Sequence, residues 1–505
     1  MQKITRLQIL IPFLTILIIQ SCKENQEDIT PAPNEPAEFI LDNKIITIRY
    51  DGQVIFEGTI WNDEGTYYVD HKTDQATQEI NQVYSWTSNS NNPVTIKGII
   101  YGSPGSFPCE VDRRRSGRII VRHSAGRSLS QLNHAVYDRE KDCVLSVDFP
   151  AYTRIIPIHS DSLQKCFEIT TTGNQVGIRF RPRYYQKHRG LSFYEPWTYK
   201  TWNKSVAGWC SWFVYFKEID EEKIRKVADV LNEQLVPFGL EYLQIDDGYQ
   251  QEPAGLPETW NIPNDKFPSG LDDLSNYISG KGLKPGIWTY TSFHQDKFAE
   301  ENPDLFVTDD EGNPAYGRWV GYSIDGSNPD AIDKIIRPIY QGFRNMGWQY
   351  FKVDALRHLR YEGYNSHADY FNNRNTSLVE AYRNVVSAIR KEIGPDNFML
   401  GCWGIRPELI GIIDGCRIGG DGYCYAGLAQ FNSFNNVIWR NDPDHIELSK
   451  KESYRSCMVT SLTGSLFMLT DKPEVYLTDR IEPAKRCIPV LFTVPGQIYD
   501  VDPSR

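Results

Sequence analysis

Paired cysteines are missing from this sequence: none of its 10 cysteines stands in a C-x-x-C pair, and no His/Cys cluster has the spacing of a zinc site. No metal and no cofactor follows from the ligating residues. Positive charge is also in short supply. Lys and Arg total 54 against 65 Asp and Glu, and the net charge of -11 repels a phosphate backbone, which excludes nucleic acid as a partner. A bilayer-crossing run of about 20 apolar residues is lacking too. The mainly apolar stretch Ile9 to Ile19 is too short for that task.

That stretch, with Lys3 and Arg6 before it, reads as an export signal over residues 1–22. Ser21 directly before Cys22 resembles a bacterial lipobox, in which the cysteine carries the lipid. Residues 23–36 are polar and hold Pro31, Pro33 and Pro36, as a tether lifting a folded body off a membrane would. The expected location is periplasmic, or the outer membrane of a bacterium, with the membrane touched through the lipid alone. Nine cysteines remain after Cys22, an odd number that leaves at least one thiol free. Oligomeric state cannot be read from these features.

Aromatic residues are plentiful, with 12 Trp, 29 Tyr and 23 Phe. Most of them suit a core, and some suit a surface that stacks on sugar rings. Residues 37–195 read as a β-sandwich built of short strands with turn chemistry between them. The clearest hairpin joins Ile45-Ile46-Thr47-Ile48 to Val54-Ile55-Phe56 through Asp51-Gly52, a type I′ signal. Arg113-Arg114-Arg115 falls in this region and reads as a solvated loop.

From about residue 204 the pattern changes to short apolar runs alternating with helical periods, the mark of βα units. Helices are expected over Asp220 to Leu235, Asp330 to Met346 and Thr376 to Ile393. The eight strand-like runs are Val206 to Cys210, Tyr242 to Ile245, Lys284 to Trp288, Gln349 to Val353, Phe398 to Gly401, Gly415 to Ile418, Val437 to Trp439 and Ser465 to Leu469. They predict an α/β fold, a (β/α)8 TIM barrel over residues 204–485 that follows the β-sandwich domain. Residues 486–505 read as the start of a C-terminal β domain.

A barrel of this kind carries its site at the C-terminal ends of the strands. The residues there are Trp212, Asp246, Asp247, Trp288, Asp354, Cys402, Trp403, Asp421, Asn441, Asp442 and Asp471, carboxylates interleaved with aromatics as a sugar pocket requires. Glycoside cleavage usually takes two carboxyl groups. Strand alternation sends Lys352 and Asp354 to the same side, so the lysine can keep the acid ionised. Asp421 follows Gly419-Gly420, which permits a sharp turn or the close approach of a ligand. A rim ion pair and a glycine-rich turn are the plain structural alternatives at these two positions.

Seven segments in barrel order resemble the α-galactosidase (melibiase) clan, glycoside hydrolase families 27 and 36. They are Gly208-Trp209-Cys210-Ser211-Trp212, Ile245-Asp246-Asp247-Gly248-Tyr249-Gln250, Lys266-Phe267-Pro268-Ser269-Gly270, Pro285-Gly286-Ile287-Trp288, Lys352-Val353-Asp354, Arg417-Ile418-Gly419-Gly420-Asp421 and Asn441-Asp442-Pro443-Asp444. The resemblance implies that Asp354 is the nucleophile and Asp421 the acid/base of a retaining double displacement. It further implies that Lys352, Asp246 and Asp247 bind sugar hydroxyls, that Trp212 and Trp288 form walls, and that Arg417 touches the 2-hydroxyl side. Where family 27 places a glutamate after Cys402, this chain has Trp403, and Tyr249 stands where relatives often have tryptophan.

The implied function is an exo-acting hydrolase of terminal α-galactosidic or stereochemically related bonds, with a glycan as substrate. A β-L-arabinopyranosidase, with the same arrangement of ring hydroxyls, and a galactosyl transferase of the clan stay open. So does a surface glycan-binding lipoprotein on a catalytically silent barrel.

Overall fold

The structure, a computed structural model, describes residues 32–33, 37–61, 66–73, 82–89, 92–112, 118–120, 134–148, 152–431 and 434–490. The export signal with Cys22, most of the tether, Arg113 to Arg115 and residues 491–505 lie outside the described residues. Arg486 and Cys487, where a C-terminal β domain is expected to begin, end a short helix, Glu482–Cys487.

The N-terminal region is antiparallel. A six-stranded sheet runs in the order Glu38–Asp42, Ile45–Tyr50, Gln53–Trp61, Val94–Gly102, Lys165–Gly173 and Tyr152–Ser160. A seven-stranded sheet runs Thr66–Thr73, Gln82–Asn89, Gly177–Arg181, Cys143–Asp148, Ala135–Asp138, Ser106–Asp112 and Arg118–Ile120. The expected hairpin is present, and Asp51 and Gly52 turn it with φ of 55° and 69°, both positive as a type I′ turn demands. Ile46, Ile48, Phe56, Ile96 and Phe167 of the first sheet share one buried cluster with Leu145, Val147, Ile178 and Phe180 of the second. Two sheets with a common apolar layer are the expected sandwich.

The opposite face of the seven-stranded sheet joins a different core. Phe107, Tyr137 and Val144 pack with Tyr185, Tyr194 and the barrel residues. Arg139 Nη1 donates to the Asn436 carbonyl at 3.0 Å across this contact. Asp142 sits at the joint with φ 47° and accepts hydrogen bonds from Tyr137 Oη (2.9 Å), the Tyr185 N–H (2.8 Å) and the Gln186 N–H (3.0 Å). Burial pushes its carboxyl up to about 7, and those three donors only partly offset it. A carboxyl raised on folding gives stability that is full at low pH and is lost as pH climbs to the folded value. Stability is therefore expected to decline between about pH 4 and about pH 7. Asp142→Asn, which tolerates a positive φ, should flatten that slope in urea midpoints taken across the range. An unchanged slope would show that the carboxylate stays charged in the folded protein.

The barrel is an eight-stranded parallel sheet: Ala207–Cys210, Tyr242–Ile245, Lys284–Tyr290, Tyr350–Asp354, Phe398–Gly401, Gly415–Arg417, Arg440–Asp442 and Phe467–Leu469. The last strand returns to pair with the first. Between the seventh and eighth strands the seam is thin, carried by the Leu466 N–H on the Asn441 carbonyl (2.9 Å) and by Ile446 bridging to Met468 and Thr470. The helix Glu221–Gln234 starts where expected, its N-cap Asp220 accepting from the Lys223 N–H, and buries Ile224, Val227 and Leu231. The helix Leu378–Ile393 is capped by Ser377 and stops at Gly394, φ 83°.

One strand differs from the sequence reading. Val437-Ile438-Trp439 is a buried turn, with Asn436 at φ 59°, and the strand is the next three residues, Arg440-Asn441-Asp442. Each of those polar residues finds a partner inside the fold. Arg440 Nη1 donates to the Gly464 carbonyl, Asn441 Nδ2 to the Phe431 carbonyl, and Asp442 pairs with Arg417.

Candidate active site

A cavity of about 380 Å³ opens at the C-terminal ends of the strands. Of the residues singled out in the sequence, it brings together Trp212, Asp246, Asp247, Trp288, Lys352, Trp403, Asp354 and Asp421. Cys402 and Arg417 stand behind its wall. The strand-end residues Asn441, Asp442 and Asp471 are also off the cavity: Asp471, for example, accepts from the Leu448 and Ser449 N–H groups.

The floor is a buried ion pair. Lys352 Nζ lies 2.8 Å from Asp246 Oδ2, which also accepts from Gln244 Nε2 at 2.7 Å. Burial by itself would push the Asp246 carboxyl up, and the Lys352 ammonium overcomes it and holds the group below the usual carboxylate range. The same pair acts in reverse on Lys352. Burial opposes its charge, yet Asp246 keeps it well above an ordinary lysine. Lys352→Met leaves a buried carboxylate without its cation, a change expected to cost about 3–5 kcal/mol in urea unfolding. Lys352→Met with Asp246→Asn should recover part of that loss, and no recovery would show that the pair is not the cause.

Asp247 is less deep. Gln250 Nε2 donates to it at 2.6 Å and Lys217 Nζ lies 3.4 Å away, while burial raises its carboxyl. Gly248 is required next to it, since φ is 123° and a Cβ there would meet the Lys217 backbone at 2.8 Å. Tyr249, the departure from the usual tryptophan, is buried beneath the floor and donates its hydroxyl to the Trp288 carbonyl at 2.8 Å.

Asp354 closes its strand with a carboxylate held on several sides. Trp288 Nε1 donates to Oδ2 at 3.1 Å, the Ala355 N–H donates to Oδ1 at 2.7 Å, and the Cys402 thiol lies against it. Burial first and then the charge of Asp354 push that thiol up, so it remains a proton donor. Ala355 takes φ 59°, a left-handed position for a residue with a Cβ, and it is this turn that directs its N–H back at the acid.

Asp421 belongs to the rim and is 55% exposed. Arg417, buried beneath it, lies 3.7 Å from its carboxylate and pairs with Asp442 and Asp444 at 2.8 Å each. The Gly422 N–H donates to Asp444 Oδ2 at 2.6 Å. The loop bearing Asp421 is thus fixed from below by one arginine and two aspartates. Gly419 in this loop leaves room for Cys424, whose Sγ stands 2.6 Å from where a Cβ would be.

The cavity also holds residues that the sequence reading passed over: Lys217, Glu252, Tyr290, His294, Trp319 and His358. Trp319 comes from the long segment between the third and fourth strands, and the aromatic-rich run Tyr316-Gly317-Arg318-Trp319 was the available signal.

Residues 201–402 match the Melibiase family model. The α-galactosidase of Oryza sativa subsp. japonica is 38% identical over 84 residues, which is 16% of this chain and 20% of that protein. α-Galactosidase Mel36A of Lactobacillus acidophilus is 22% identical over 252 residues, 48% of this chain and 30% of that one. This chain therefore spans only a fifth to a third of those two relatives. Among solved structures, TtGalA, an α-galactosidase from Thermus thermophilus in complex with p-nitrophenyl α-D-galactopyranoside, is similar at 16% identity and TM-score 0.48, covering 83% of this chain and 93% of that one. A β-L-arabinopyranosidase from Geobacillus stearothermophilus, crystallised with arabinose, is similar at 16% identity and TM-score 0.43, covering 55% and 76%. The match to the family model thus lies within the barrel, from just before its first strand to just past its fifth.

Proposed function

We propose that this protein is a retaining, exo-acting glycoside hydrolase that removes terminal α-galactosyl or stereochemically related residues from a glycan. The observation that carries the reading is that Asp354, at the end of the fourth strand, and Asp421, on the loop after the sixth, line one sugar-sized cavity. Its floor, Lys352 with Asp246 and Asp247, offers a charged donor beside acceptors, the pattern that fixes the hydroxyls of a single ring. Asp354, oriented by Trp288 Nε1 and the Ala355 N–H, is the nucleophile that forms a glycosyl ester. Asp421, at the mouth where leaving group and water pass, first gives and then removes a proton. Arg417, 3.7 Å beneath Asp421, also positions that acid.

A panel of aryl glycosides tests this, with α-galactoside and β-L-arabinopyranoside as the leading members and the product anomer followed by NMR. Turnover with retention is the expected result. Inversion would remove the double displacement, and silence toward the whole panel would favour the glycan-binding alternative.

A further inference from the structure

The depth of the cavity is graded. Asp246 and Lys352 are buried at its floor, whereas Trp403 is 37% and Trp319 57% exposed at its mouth. A terminal sugar seated on the floor sends its leaving group outward past these rings. Between the two tryptophans stands His358, whose ring is stacked on Trp319 with centroids 5.4 Å apart and lies 5.3 Å from Trp403. The three rings form a column along one side of the mouth.

The column is built rather than accidental. Glu362 Oε1 lies 2.9 Å from His358 Nδ1, and its other oxygen accepts from the Trp319 N–H at 2.8 Å. One carboxylate therefore fixes both the central ring and the loop that presents the outer one. Burial opposes the charge of Glu362, but the Trp319 N–H and His358 hold its carboxyl below the usual range, so the clamp is ionised. Trp403 takes φ 54°, the backbone setting that accompanies its place at the mouth. The guanidinium of Arg318 lies 5.8 Å from the Trp319 ring and adds donors on the same side. A large indole kept this exposed next to a catalytic cavity needs a partner with an apolar face.

Building on the proposed function, we infer that the column of Trp319, His358 and Trp403 is a leaving-group subsite that stacks the pyranose ring next to the scissile bond, with Glu362 as its positioning residue. The enzyme then selects galactosides whose leaving group is itself a sugar ring. The subsite serves the departing part of the substrate and adds nothing to the hold on the terminal residue.

Two substrates separate the parts. α-D-Galactosyl fluoride has no leaving-group ring, whereas an α-1,6-linked galactosyl-glucose disaccharide has one. Trp319→Ala is expected to lower kcat/KM for the disaccharide roughly tenfold, chiefly through KM, and to leave the fluoride within about twofold. Trp319→Tyr should restore most of the loss, and Glu362→Gln should show the same disaccharide-selective defect in weaker form. Equal losses on both substrates, or no loss on either, would overturn the subsite. The same comparison is made by calorimetric binding of the disaccharide and of galactose to Asp354→Asn protein, with and without Trp319→Ala. Wild-type protein that hydrolyses neither substrate would sink the proposed function, and the calorimetry would still decide the subsite by whether Trp319→Ala weakens the disaccharide alone.

Discussion

Asp354→Asn is expected to lower kcat on an aryl α-galactoside by at least about 10³-fold while leaving the unfolding midpoint nearly unchanged. The two halves of this result come from different contacts. An amide oxygen can still accept from Trp288 Nε1 or the Ala355 N–H, so the local turn survives. It cannot attack the anomeric carbon, so the ester does not form. The measurement is steady-state turnover beside thermal unfolding of the same preparation. Retained activity would move the nucleophile elsewhere, and Asp247 would be the next acid to test, since it faces the same cavity.

Asp421→Ala should behave differently because its contribution depends on the leaving group. General acid catalysis is worth about 10²–10⁴-fold where the departing oxygen needs a proton and little where it does not. The variant is therefore expected to lose most of its rate on the disaccharide, to form the ester readily from a dinitrophenyl galactoside, and to stall at its hydrolysis. Azide, which needs no base, should restore turnover and yield a galactosyl azide with retained configuration. Absence of rescue, or an inverted azide, would exclude Asp421 from the role. The Arg417 support predicts a related but milder defect: Arg417→Lys loses the paired contact to Asp442 and Asp444 and lets the Asp421 loop drift.

Much of the barrel was legible because its strands are short apolar runs ending at acids and aromatics. Tyr242–Ile245 and Phe398–Gly401 stand where the pattern put them. The seventh strand was misplaced by three residues for a physical reason: the apolar run Val437-Ile438-Trp439 fills the core from a turn, while the strand itself is polar because it meets the Arg417 network. Hydrophobicity marks burial, and burial is not confined to strands. At the site, residues on or next to strand ends were found and those delivered by long loops were not. Trp319 and His358 are far from Trp403 in sequence, and only the fold makes them a column. Lys217 and Glu252 carry no mark in the sequence, and the fold brings Lys217 within 3.4 Å of Asp247 and 3.2 Å of Glu252.

The tyrosines that join the seven-stranded sheet to the barrel bear on how this chain can be handled. Tyr185 packs edge-on against Phe434, and Phe434 in turn against Trp439, at the seventh strand and beside the thin seam of the ring. The sheet is thus a wedge braced against the place where the ring has fewest rungs. A fragment cut to carry the ring alone would bare an aromatic flank and lose this brace at once, so the ring is expected to fold only with its sheet attached.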